Sequence, residues 1–195
     1  MQNHPTDQSF APSSSGWLRS YYLTRAAVSA GWVALALIVG PGNPAVAAVL
    51  LVAYPAWDAL ANYLDAQKSG GLRRNLSQSL NFVVSVVTAA AVAVALGISM
   101  NAVFVVFGAW ATLSGLFQLF TAVRRWKSAG AQWVMIVSGA QSALAGVFFI
   151  VMARAATPPD ITSIAGYAGL GAFYFLLSGV WLTVKMARHR SAVSN

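Results

Sequence analysis

The sequence predicts an all-α polytopic membrane protein, six transmembrane helices built as three repeated helical hairpins. Three observations carry that expectation. Charged residues make up 8% of the chain and hydrophobic ones 58%, against about a quarter charged and under half apolar in a soluble domain. Twelve basic and four acidic side chains could not cover the surface of a water-soluble fold of 195 residues. The charges also fall in short basic clusters, and the apolar runs between them are each about one bilayer long, since 21 helical residues span roughly 31 Å.

Residues 1–20 are rich in Ser, Pro, Gln and Asn without hydrophobic period, which predicts a disordered cytoplasmic tail with His4 in solvent. Arg19 and Arg25 precede the first apolar run, and Pro44 to Ala48 offers an A-x-A-like cleavage site. The chain stays apolar beyond that site, as the return limb of a hairpin would, so an uncleaved span is expected. Spans are expected at 23–40, 44–64, 76–97, 101–123, 132–153 and 162–185, forming hairpins at about 23–64, 76–123 and 132–185 within a domain of residues 21–188, before a cytoplasmic tail at 189–195. The run from Leu76 to Val123 would be a helix of about 70 Å if continuous, so it must turn back, and Gly97, Ser99 and Asn101 mark the place. Pro41-Gly42-Asn43-Pro44 turns the first hairpin, and Arg154 to Asp160, with Pro158 and Pro159, turns the third.

Eleven of the twelve Lys and Arg fall on one side: Arg19 and Arg25, then Lys68, Arg73 and Arg74, then Arg124, Arg125 and Lys127, then Lys185, Arg188 and Arg190. Arg154 alone falls on the other. In loops this short the positive-inside rule places both termini in the cytoplasm. Trp17, Trp126, Trp133 and Trp181 lie near the same boundary, where indoles favour the headgroup level. Anionic lipid headgroups are the partners such basic loops attract, at about 1 kcal/mol per charge. Nucleic acid is not expected, because the net charge of +8 punctuates apolar runs instead of lining one face with stacking aromatics.

The limbs repeat. Trp110 overlays Tyr174, Leu113-Ser114-Gly115 overlays Leu177-Ser178-Gly179, and Arg124 overlays Arg188; the first hairpin fits loosely, with Tyr54 at the aromatic position, Asp58-Ala59 in place of Ser-Gly, and Lys68 at the basic one. A period of about 56 to 64 residues is one helical hairpin, repeated in parallel rather than inverted. Small residues at four-residue spacing (Ser85, Ala89, Ala93 and Gly97; Ser138, Ser142 and Gly146; Ala26, Ala30 and Ala34) favour close helix packing and place the odd-numbered spans at the bundle centre.

Leu113 to Arg125, then Gly130, Trp133, Ser138-Gly139 and Ala145-Gly146, resemble the short-repeat (DUF308-like) bacterial membrane proteins typified by the HdeD acid-resistance protein, over roughly residues 22–190. The resemblance implies a six-helix inner-membrane protein associated in some members with acid or envelope stress, and no catalytic residues to carry over. The first repeat departs from the pattern at Asp58.

Buried polar groups are the only functional candidates. Asp58 lies about 20 Å into its span, where an ionised carboxylate is unfavourable unless paired, protonated or water-lined. Tyr54, Asn62 and Asp65 share its helical face. One expectation is a proton-accepting Asp58 with Tyr54 and Asn62 as hydrogen-bond partners; the other is that Asp58 reaches the interface or caps a packing contact with Asn81 or Gln78. Gln118 and Gln141 sit near the same depth and should hydrogen-bond across helices. His189 stands in a basic tail with no second ligand at metal spacing, and cysteine is absent. No nucleophile elbow, P-loop or dinucleotide fingerprint is present, so an enzyme has no residues to rest on and no cofactor is implied. The expected function is non-enzymatic: stress tolerance by resemblance, permeation of a small solute or proton through Asp58, or a membrane scaffold with a protein partner or sister subunits.

Overall fold

The computed structural model describes residues 12–124 and 132–193. The expected basic group at Arg125 and Lys127, with Trp126 and Gly130, lies outside these residues, as does His4. The described chain is all α: α1 Pro12–Ile38, α2 Pro44–Lys68, α3 Leu76–Leu96, α4 Met100–Arg124, α5 Gln132–Met152 and α6 Ile161–Val193, with one 3₁₀ turn at Leu72–Arg74. Five of these helices are long and apolar enough to cross a membrane; the apolar stretch of α5, Ile136–Met152, is shorter. Ile38, Val49, Val94, Phe120, Leu144 and Phe173 lie exposed on the outer surface, as side chains facing lipid do and as a soluble monomer does not tolerate over so wide an area. These are the helices of a multi-pass membrane protein.

The turns are built where Pro, Gly and capping residues stand. Asn43 caps α2, its side-chain oxygen accepting from Val46 N at 3.1 Å, with Pro44 at the first helical position. Ser99 Oγ accepts from Ala102 N at 3.1 Å and Asp160 Oδ1 from Thr162 N at 3.0 Å, starting α4 and α6. After α2 the chain needs left-handed backbone: Gly70 and Gly71 have φ of 99° and 91°, and Gly71 N donates back to Ala66 O at 2.7 Å. Asn75 Nδ2 clamps that loop through Ser69 O at 2.8 Å and Gly71 O at 2.9 Å.

Two helices run further than the apolar spans. Proline is favoured in a first helical turn, and α1 starts at Pro12, making residues 12–20 helical where a disordered tail was expected; Trp17 stacks on Tyr21 at 6.2 Å and lies beneath Lys68 Nζ at 5.3 Å. With no Gly or Pro after Gly179 to stop it, α6 continues to Val193.

The helices stand in a ring in chain order, α6 closing on α1, and each packs appreciably only on its two ring neighbours. The expectation of odd-numbered helices at the centre is therefore corrected. No helix is central: the stripes turn Ser85, Ser138 and Ser142 to the interior and Gly146 to a neighbouring helix, while Ala30, Ala34 and Ala93 lie exposed on the outer surface. The closest pairs are α4 with α5, α6 with α1, and α2 with α3, whereas α1 with α2 and α5 with α6 are loose seams. The tight interfaces thus join the second limb of one expected hairpin to the first limb of the next. Glycine permits the closest of them: a Cβ on Gly146 would fall 2.5 Å from Gly108 O, and one on Gly115 would fall 2.5 Å from Gly139 O. At the equivalent repeat position, a Cβ on Gly179 would meet Leu23 of α1 at 2.6 Å.

Candidate functional site

Packing divides the ring into two halves. Toward the turns at Pro41, Gly97 and Pro158 it is filled: Leu51, Val92, Val103, Phe104, Ile161 and Ile164 are buried, and Phe104 meets Phe149 edge-on at 5.5 Å. An aromatic layer floors this half, with Phe149 against Tyr167 at 5.7 Å, Phe107 against Trp110 at 5.7 Å and Tyr54 against Trp110 at 5.8 Å. Trp32 completes it, its indole N–H donating to Leu50 O at 2.7 Å, one residue from the Leu51 carbonyl that Pro55 cannot serve.

Beyond that layer lies a cavity of about 230 Å³ to which all six helices contribute. Its lining becomes polar toward the basic loops, where Asn62, Asn81, Gln118 and Ser138 each stand within about two turns of a helix end. All five side chains singled out in the sequence, Asp58, Tyr54, Asn62, Gln118 and Gln141, line this one space.

At its centre is an ion pair the sequence did not disclose. Arg25 was expected among the loop charges, but α1 begins early enough to carry it into the bundle, where Arg25 Nη2 pairs with Asp58 Oδ1. Both side chains are mostly buried, 12% and 17% exposed. Three helices converge on the carboxylate, because Asn62 Nδ2 donates to Oδ2 at 3.0 Å and Ser85 Oγ donates to the same atom at 2.8 Å. The guanidinium is held by Tyr21 OH, 2.9 Å from Nη1, and by the ring of Phe175 at 4.2 Å from its centre. A charge buried in this way is tolerated when it is paired with an opposite charge and hydrogen-bonded.

The expected partners of Asp58 change accordingly. Asn62 is one; Tyr54 is not, its ring packing instead against Trp32 at 4.7 Å and Trp110 at 5.8 Å. Gln78 serves Asp65 at 3.2 Å, and Ser85 takes the position assigned to Asn81 or Gln78. Gln141 does bond across helices, accepting from Tyr174 OH at 2.7 Å over the loose α5–α6 seam.

A second feature was missed. Ser29, Ser85 and Ser142 recur about one repeat apart on α1, α3 and α5, and two of them bond an aromatic of the following helix, Ser85 with Trp110 Nε1 at 3.0 Å and Ser142 with Tyr167 OH at 2.9 Å. Arg25, Asn81 and Ser138 recur one turn earlier on the same helices. The sequence signal was present in that spacing, but serines at Ser85 and Ser142 were read as small packing residues.

Among the described residues, three polar atoms of the cavity lining are buried with no partner: Arg25 Nε, Trp57 Nε1 and Ser114 Oγ. Among the described residues no three His, Cys, Asp or Glu come together as a metal site would require.

The fold and its interior define a class, a multi-pass helical membrane protein with a polar cavity in the half of the bundle nearer its basic loops. Residues 83–151, from α3 through α4 to the end of α5, match the family described as a short repeat of unknown function (DUF308). No curated protein and no solved structure matches.

Proposed function

We propose that this chain is a non-enzymatic protein of the cell's inner (plasma) membrane, with six spans and both termini in the cytoplasm, whose cavity admits a small polar solute from the cytoplasmic side. The observation that carries this is the contrast between the two halves of the ring: an aromatic seal at one end, and at the other a polar space centred on Arg25 and Asp58. A scaffold needs no polar interior, and permeation does. In the ring the loose α5–α6 seam can open while the tight pairs move as units. Acid or envelope stress tolerance is the cellular role that the resemblance supports, and solute movement through the cavity would be its mechanism. Anionic lipids would hold the basic face through Lys68, Arg73, Arg74 and Lys185. Assembly with sister subunits or another protein is compatible with the lipid-facing surface.

The absence of cysteine makes the test clean. Single cysteines at Asn81 and Ser138 should react with a membrane-impermeant maleimide added to inside-out vesicles, while one at Val92, in the filled half, should not. No labelling of Asn81→Cys and Ser138→Cys from either side would refute a solute-accessible interior.

A further inference from the structure

We propose that the cavity binds a small carboxylate anion together with one proton, the anion on Arg25 and Trp57 and the proton on Asp58; this rests on the solute-accessible cavity proposed above. Three features of the lining lead there.

The first is which hydrogen-bonding capacity is unspent. Asp58 has both oxygens engaged, by Arg25, Asn62 and Ser85. Gln141 Oε1 and Ser142 Oγ are likewise engaged, by Tyr174 and Tyr167. The buried atoms left without partners are Arg25 Nε and Trp57 Nε1, which can only donate, and Ser114 Oγ, which can donate. Buried donors left unmade are unfavourable, so the complementary ligand presents acceptor oxygens.

The second is the geometry of the guanidinium. Phe175 covers its face, Tyr21 takes Nη1 and Asp58 takes Nη2, which leaves the Nε edge for a ligand. A carboxylate is among the acceptors whose geometry such an edge matches.

The third is charge balance. Arg25 and Asp58 are the charged residues among the described ones that line the cavity, and they cancel. An anion alone would leave one uncompensated negative charge in a low-dielectric space. One proton taken up by the Asp58 carboxylate restores neutrality and loosens its hold on Arg25, whose positive charge is then matched by the incoming carboxylate. The titratable and charged groups around Asp58 are Arg25 and Tyr21 from α1, Tyr54 from its own helix and Tyr167 from α6; α3 and α4 bring Ser85 and Trp110. Two turns further along α2, Asp65 is the other carboxyl nearby; it accepts from Gln78 at 3.2 Å and does not line the cavity. The volume suits an anion of a few heavy atoms, since a water occupies about 30 Å³ of liquid.

Titration calorimetry on the purified full chain in detergent, with pyruvate as probe and lactamide as neutral control, tests this. Repeating the titration in buffers of different ionisation enthalpy counts protons. Saturable pyruvate binding with about one proton taken up per anion, and apparent affinity falling roughly tenfold per pH unit once Asp58 is ionised in the free protein, is the expected result. Trp57→Phe should weaken pyruvate about tenfold without changing the proton count. Asp58→Asn, a fixed mimic of the protonated state, should bind pyruvate with no proton uptake, and pyruvate should raise its thermal midpoint. Should Asp58→Asn not fold, the proton count on the native chain and the Trp57→Phe titration decide alone. Absence of saturable binding, binding without proton uptake in the native chain, or equal binding of lactamide would each overturn the proposal. If the maleimide still reaches Asn81→Cys in that event, the cavity stands and only the ligand class is wrong.

Discussion

Gly146→Val is expected to destroy the folded state, with almost no monodisperse protein recovered in mild detergent. The α4–α5 interface brings backbone against backbone. An added Cβ would lie 2.5 Å from both Gly108 O and Thr112 N, atoms of a helix main chain that cannot rotate away as a flexible side chain would. The helices would have to separate, and lipid supplies no hydrophobic force to keep them together once close packing is lost. A cost of about 3 kcal/mol or more is expected, at the upper end for overpacking, and even alanine should be poorly tolerated. Gly169→Val is the matched control. Its Cβ would meet nothing within 4 Å, so yield and thermal midpoint should stay near the native values.

Removing one member of the central ion pair is the second large effect. Arg25→Gln leaves the buried Asp58 carboxylate without its counter-charge and should lower stability by about 3–5 kcal/mol. Asp58→Asn strands Arg25 instead and should also be strongly destabilising. The double variant Arg25→Gln with Asp58→Asn removes both charges while keeping side chains that hydrogen-bond, so it should recover most of the loss. Thermal unfolding of the four proteins closes a double-mutant cycle. Additive losses in the double variant would show that the two residues act independently and that the pairing of α1 with α2 through them is not what stabilises the bundle.

The sequence disclosed what local chemistry determines. Pro44 with Asn43, Gly97 with Ser99, and Pro158 with Pro159 place the turns because no helix passes through those residues, and α2 to α5 begin and end close to the expected bounds. Asp58, Asn62, Gln118 and Gln141 were visible as candidates because a polar side chain in an apolar run stands out, and the structure brings them to one cavity. Their partners were not visible. Arg25 was grouped with loop charges because its span was started at Leu23; it stands about 20 Å from the turn end of α1, as Asp58 does from that of α2, and matching those depths would have suggested the pair. The closing of α6 on α1 depends on packing between residues far apart in the chain, such as Gly179 with Leu23, for which the apolar pattern holds no record. Trp57, read as one more apolar residue, matters through a single buried N–H that meets no partner among the described residues.

The arrangement as a whole depends on the sidedness of the loops, which fixes the membrane face that the cavity meets. Cells carrying Thr157→Cys or Arg74→Cys, treated intact with a membrane-impermeant maleimide, report it directly. Labelling at Thr157, and at Arg74 only after permeabilisation, is what six spans with internal basic loops predict. Labelling of Arg74→Cys in intact cells with Thr157→Cys protected would contradict that topology, and with it the entry of solute from the cytoplasm.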